Sequence, residues 1–354
     1  MEDSNNRLSH INIARGFANF FVVLLHTFVP EIRKNSPAVL TAFFWMNAFT
    51  FQLFMVISGY LFERGYGKYH ARGCAGFFRG KLQAVMLPYL SVSVLSYAGI
   101  GLAFLAPPLS RVLLAGGYAP FGFFDAAFQI VTYEGHIINH LWFLPTLFLI
   151  FALTYITGRF FAGLPGLLIS IAVSFLSYHL SMPVLAYRVC AMFVFFNIGR
   201  RIVFVDAFSR TKRLVPMLVV FIGVFAADRA GLFSRSSSLQ AVSAIVIGTS
   251  GAMAFIAVSR LIAGKALGRA VSWIGDNSFV IYLLHQPFIV SGVSGILLMY
   301  TPMPHLAICA ITLAMGIFIP YLANRFVISR VRPLRGLLLG DFSAKEAWTE
   351  KRNG

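Results

Sequence analysis

The chain has 354 residues, of which 58% are apolar and only 12% charged, with a formal net charge of +17. So few charges cannot cover the surface of a soluble protein of this size, which leaves a polytopic membrane protein as the class. The basic residues fall between apolar runs, so the positive balance points to membrane topology rather than to nucleic acid.

A hydrocarbon core about 30 Å thick needs roughly 20 mostly apolar residues in helical form. After the polar decapeptide MEDSNNRLSH, ten segments meet that need: 11–30, 40–62, 82–106, 140–158, 163–180, 183–204, 214–231, 239–262, 274–298 and 303–326. The expected fold is therefore all-α, a polytopic membrane helix bundle of about ten transmembrane helices. The first run is too long for a signal-peptide core and lacks a small-x-small cleavage site, so it is expected to stay as the first span. Only LSMP separates the fifth segment from the sixth.

With the N-terminus in the cytoplasm, 23 of the 29 basic residues fall on the inner side. Only Arg33, Lys34, Arg111, Arg188, Arg229 and Arg235 are left outside, an asymmetry that favours N-in and C-in. The longest outer connection, 107–139, contains FGFFDAAFQIVTY, too short to span and suited to lie in the interface. Residues 1–330 form the expected membrane domain, and 331–354 a basic cytoplasmic tail ending in the polar stretch FSAKEAWTEKRNG. No internal repeat is visible, which disfavours an inverted-repeat transporter.

Chemistry-bearing residues are few. In INIARGFANFFVVLLHTF (11–28), Arg15 and His26 are eleven positions apart. On a helix that is about three turns plus 20°, so both leave the same face, about 16 Å apart along the axis. Alone, Arg15 reads equally as an anchor snorkelling to headgroups, and His26 as an interhelical hydrogen bond. An imidazole at that depth is also the natural general base. His285 lies in NSFVIYLLHQPF, with Tyr282 on a neighbouring part of the same face. Its structural reading, a bond to a neighbouring helix, stands level with a site role.

Glu134, His136 and His140 sit in YEGHIINH. The H-x-x-x-H spacing puts two imidazoles on one helical face, but no carboxylate completes a zinc motif, so no metal is expected. Glu134 reads instead as a carboxylate at the outer rim, able to orient His26 or contact a polar substrate. Ser58 and Gly59 in FQLFMVISGYLF read as packing residues that let helices approach. The three cysteines, Cys74, Cys190 and Cys309, form no C-x-x-C pair, and there is neither a phosphate-cradling loop nor a nucleophile-elbow serine.

Taken together, these segments resemble the integral-membrane acyltransferases of type three. The spacing of Arg15 and His26 resembles the first-helix Arg-x10-His motif of that family. FQLFMVISGYLF (51–62), HLWFLPTLFLI (140–150) and IGDNSFVIYLLHQPFI (274–289) follow in the family's order, and the likeness runs from about residue 7 to 330. It is greatest for the sugar O-acetylase branch that includes fucose-acetylase-like proteins. One departure stands out: where the family carries an Arg-x-x-Arg cluster before Pro-Tyr, FFRGKLQAVMLPYL offers Arg79 and Lys81, with Gln83 and Ala84 nearest Pro88-Tyr89.

The resemblance implies an O-acyltransferase of the inner membrane, moving an acyl group, acetyl by expectation, from cytoplasmic acyl-CoA to a hydroxyl of a cell-surface or exported carbohydrate. It implies His26 and Glu134 as catalytic residues, Arg15, Arg79 and Lys81 as donor contacts, and Trp142, Tyr282 and His285 as lining for the acceptor. Acyl-CoA would be a co-substrate, with no permanently bound cofactor and no nucleic-acid partner; a homo-oligomer is compatible with it. The rival reading is a proton-coupled transporter or exporter of a polar or saccharide substrate, with the two histidines as relay groups.

Overall fold

The computed structural model describes residues 2–133, 137–202, 214–234 and 236–342, with backbone alone before Ser9. None of these residues is in a strand. The first helices are α1 (Glu2–Thr27), α2 (Pro30–Lys34), α3 (Pro37–Asn47), α4 (Thr50–Arg64), α5 (Tyr66–Ala71), α6 (Gly73–Lys81) and α7 (Leu87–Phe104). There follow α8 (Pro107–Ala115), α9 (Phe123–Thr132), α10 (Phe143–Thr157), α11 (Leu164–Ser177), α12 (Val184–Ile202) and α13 (Leu214–Arg229). The last six are α14 (Ser237–Ile262), α15 (Ala266–Asp276), α16 (Ser278–Leu284), α17 (Val293–Tyr300), α18 (His305–Ala323) and α19 (Arg332–Leu339). Turns of π-helix occupy Leu82–Met86, His285–Gly292 and Asn324–Ile328.

All ten predicted apolar segments fall on helices. Six stretches among the described residues are long and apolar enough to cross a membrane: Pro37–Arg64, Gly73–Phe104, Asn139–Thr157, Ser237–Ile262, Ser278–Tyr300 and His305–Ile328. The other four fall short for different reasons. Helices α11 and α13 are short, with 14 and 16 residues. Helix α12 carries Arg188, Arg200 and Arg201, and α1 breaks its apolar run with His10, Asn12, Arg15, Asn19 and His26. Large apolar side chains such as Leu102, Leu105, Ile156, Leu168 and Leu306 are more than half exposed, as side chains facing lipid are.

The chain divides into two compact units, Met1–Cys74 with Leu149–Ser278, and Ala75–Phe148 with Phe279–Gly354. In the first unit, helices meet backbone to backbone through glycine. A Cβ on Gly59 of α4 would sit 1.9 Å from the Phe196 carbonyl oxygen of α12, and one on Gly199 would sit 2.0 Å from that of Val56. The packing role expected of Gly59 follows, because only glycine fits that approach. Helices α1 and α15 meet the same way: a Cβ on Gly16 would sit 2.0 Å from the Val271 carbonyl oxygen, and one on Gly275 2.1 Å from that of Asn12. An aromatic core closes the unit, with Phe49 stacked on Phe255 at 4.6 Å and edge-on to Phe221 at 5.4 Å.

A buried ion cluster ties α4 to α12. Glu63 Oε1 accepts from Arg159 Nε at 3.0 Å, and its Oε2 accepts from Arg200 Nε at 2.8 Å. Arg200 Nη2 also donates to the Gly158 carbonyl at 2.9 Å. Arg200 is fully buried, whereas the Arg159 side chain is 60% exposed.

In the second unit, α9 is held to α7 by two tyrosines. Tyr89 donates to the Ile130 carbonyl at 2.7 Å, and Tyr97 donates to Gln129 Oε1 at 2.6 Å. Tyr133, in the left-handed conformation (φ 60°), ends α9. Phe123, Phe124, Phe128 and Val131 stay exposed along it, the apolar face of an amphipathic helix in the segment predicted to suit an interface. Helix α19 lies within the predicted tail and ends on Gly340 (φ +66°), which abuts the Gln83 carbonyl in the first π-helical turn. The final residues, 343–354, lie outside the described chain.

Candidate functional site

Helix α1 is continuous from Glu2 to Thr27, so the eleven-residue spacing of Arg15 and His26 is kept. The two side chains therefore share a face and stand about 16 Å apart along it. Both are half-buried, with His26 in the last turn. The N-terminal half of α1 is fixed against α15 by one amide: Asn12 Nδ2 donates to the Ser272 carbonyl at 3.1 Å, to Ser272 Oγ at 2.9 Å and to Asp276 Oδ1 at 2.8 Å. Asp276, which accepts from Asn12, is near enough for its charge to favour the Arg15 guanidinium. Between the two predicted residues lies Asn19, fully buried. Four residues from Arg15 and seven from His26, it shares their stripe, a spacing already visible in the sequence.

The second unit gathers another set. Tyr282 donates to the His140 carbonyl at 2.7 Å, and the His140 and His285 rings meet edge to face at 5.6 Å. Trp142 stands 6.0 Å from Phe143, which lies 6.2 Å from Tyr282, completing an aromatic wall. His140, Tyr282 and His285 are all buried. His285 Nδ1 lies 3.0 Å from the Ile281 carbonyl and 2.9 Å from that of Tyr282. Both partners only accept, so Nδ1 carries a proton, and in the neutral ring Nε2 keeps the lone pair. The backbone supports this arrangement by leaving the α-helical path: Gln286 has extended φ/ψ (−123°, 158°) at the start of the π-helical segment.

Trp142, Tyr282 and His285, the residues expected to line the acceptor, thus lie in one cluster, and His140 joins them. In the sequence His140 pairs only with His136, which, with Glu134, lies outside the described residues. Arg79 is exposed on α6, and the Lys81 ammonium stands 5.8 Å over the Phe77 ring. The π-helical turn Leu82–Met86 follows them directly, at the stretch where the sequence departs from the Arg-x-x-Arg pattern. The second unit also holds a cavity of about 290 Å³ lined by Tyr118, Phe121, Asp125 and Gln129 among others, none of them a predicted site residue. Burial pushes the Tyr118 phenol up, keeping it a neutral donor.

An all-helical chain with lipid-facing apolar surfaces and buried polar groups on its helices is a membrane protein built around polar chemistry. A family model described as an acyltransferase domain matches residues 8–324, most of the chain. The chain belongs to this family, acyltransferase type three, and is a membrane acyltransferase. No curated protein and no solved structure matches it.

Proposed function

We propose that this protein is an O-acyltransferase that moves an acyl group, acetyl in the simplest case, from cytoplasmic acyl-CoA to a carbohydrate hydroxyl at the cell surface or in export. The reading takes the chain to cross the inner membrane about ten times, with both ends in the cytoplasm. The observation that carries it is the pairing of Arg15 with His26 on one face of an unbroken helix, in a chain of the acyltransferase family. A long thioester arm has the length of that stripe, and a cation and an imidazole are the groups its two ends need.

In this reading Arg15, with Arg79 and Lys81, holds the donor's phosphates by charge-assisted hydrogen bonds. His26 takes the proton of the acceptor hydroxyl as its oxygen bonds to the acyl carbon. The thioester C–S bond then breaks, and the imidazolium returns the proton to the departing thiolate. Glu134 orients His26 or the sugar, and Trp142, Tyr282 and His285 line the acceptor. The test is incubation of purified protein with labelled acetyl-CoA and candidate glycans. Covalent label on a glycan supports the reading, and flux of a saccharide without label refutes it in favour of a transporter. Mass spectrometry of surface polysaccharide with and without the protein then names the acyl group.

A further inference from the structure

Asn19 is fully buried, and among the described residues neither its amide nitrogen nor its carbonyl oxygen has a hydrogen-bond partner. Buried polar groups are paired in most proteins, and among the described residues Asn19 is the side chain with both a donor atom and an acceptor atom left over. Its burial is not forced by a lack of alternatives, since Ala18 and Val22 beside it are apolar and equally well packed. The group lies on the stripe that joins Arg15 to His26, about 6 Å from the first and about 10.5 Å from the second along the axis.

We infer that Asn19 is a hydrogen-bonding station for the donor's arm, pairing with the amide nearer the phosphates; this rests on the acyl-CoA reading above. The register supports that amide over the other. An extended chain advances about 1.2 Å per bond, so from the thioester sulfur the carbonyl carbon of the inner amide lies about 10 Å away and the first phosphorus about 16 Å. Those are the distances from His26 to Asn19 and to Arg15 on an ideal helix, about 10.5 Å and 16.5 Å. The amide nearer the thioester falls about 5 Å from the sulfur, opposite Val22 and Val23, which have nothing to offer it. Asn19 supplies both a donor and an acceptor, the complement of a secondary amide. It therefore reads the chemistry of the arm, while Arg15 reads its charge and His26 serves its reactive end.

The experiment measures equilibrium binding of acetonyl-CoA, a thioether analogue that cannot transfer, to the detergent-purified full chain. A second ligand is the same molecule with the phosphate-proximal amide replaced by two methylenes. The wild-type chain should prefer the amide ligand about tenfold, the range of one buried hydrogen bond. Asn19→Leu should bind both ligands equally, and its melting temperature should not fall, because it removes an unpaired buried amide. Asn19→Ala serves as a second variant should leucine overpack the site, with the same loss of preference expected. A preference retained in both variants, or absent from the wild type while acetonyl-CoA still binds, overturns the role of Asn19 alone. Failure of the wild type to bind acetonyl-CoA at all overturns the donor reading and this inference with it.

Discussion

Replacing Glu63 by glutamine isolates the energetics of the buried ion cluster. The carboxylate holds two guanidiniums that differ sharply in setting. The Arg200 side chain is 0% exposed and that of Arg159 is 60% exposed. Glu63→Gln leaves Arg200 as an unpaired buried charge, and breaking such a pair costs about 3–5 kcal/mol. Arg159 can turn to solvent, so Arg159→Gln should cost about 1 kcal/mol or less. The double variant Glu63→Gln/Arg200→Met removes both charges, keeps most of the volume, and should recover most of the loss. Reversible unfolding in mixed micelles, followed by tryptophan fluorescence, gives the free energies of the wild type and of these three variants. A Glu63→Gln loss below about 1 kcal/mol, or an Arg159→Gln loss as large as that of Glu63→Gln, would refute the reasoning.

Other expectations are equally direct. His26→Ala should abolish acyl transfer while the protein stays folded and membrane-bound, as read by size-exclusion chromatography beside the labelled-donor assay; retained turnover removes His26 from the chemistry. Arg15→Ala should raise the KM for acyl-CoA by about tenfold or more with a smaller change in kcat, and an unchanged KM makes Arg15 an anchor only. Gly16→Leu puts a Cβ where the Val271 carbonyl oxygen is 2.0 Å away, against about 3.4 Å for ordinary contact. Helices α1 and α15 must then part, and a destabilisation of about 2 kcal/mol or more is expected in the same micelle unfolding assay. Tyr282→Phe removes the donor to the His140 carbonyl and should cost about 1 kcal/mol in stability. A matching rise in the KM for the acceptor glycan would tie that pair to the acceptor site.

Local features were legible in the sequence, and long-range pairings were not. Helix positions followed from apolar runs, and the shared face of Arg15 and His26 from their spacing, because both depend only on helix geometry. Gly59 could be read as a packing residue from its size alone. Arg200, by contrast, entered the charge count as one more inner cation, yet it is fully buried against Glu63, 137 positions away in the chain. The His140–His285 contact likewise joins segments that share no local pattern. Asn19 was hidden by its company: within an apolar run, a single asparagine looks like dilution until its burial and lack of partners are known.

The anchoring of α1 on α15 has a consequence for biosynthesis. Asn12 and Ser272, which hydrogen-bond to each other, are 260 positions apart. At 5–20 residues per second, the ribosome takes roughly 13–52 s to travel from one to the other. Throughout that interval the first helix waits with its Gly16 face and the Asn12 amide without their α15 partners, while the whole segment 75–148 of the other unit is made. A nascent chain stalled before residue 266 would hold α1 without the helix that fixes its N-terminal half, making this the stage at which a membrane chaperone has most to protect.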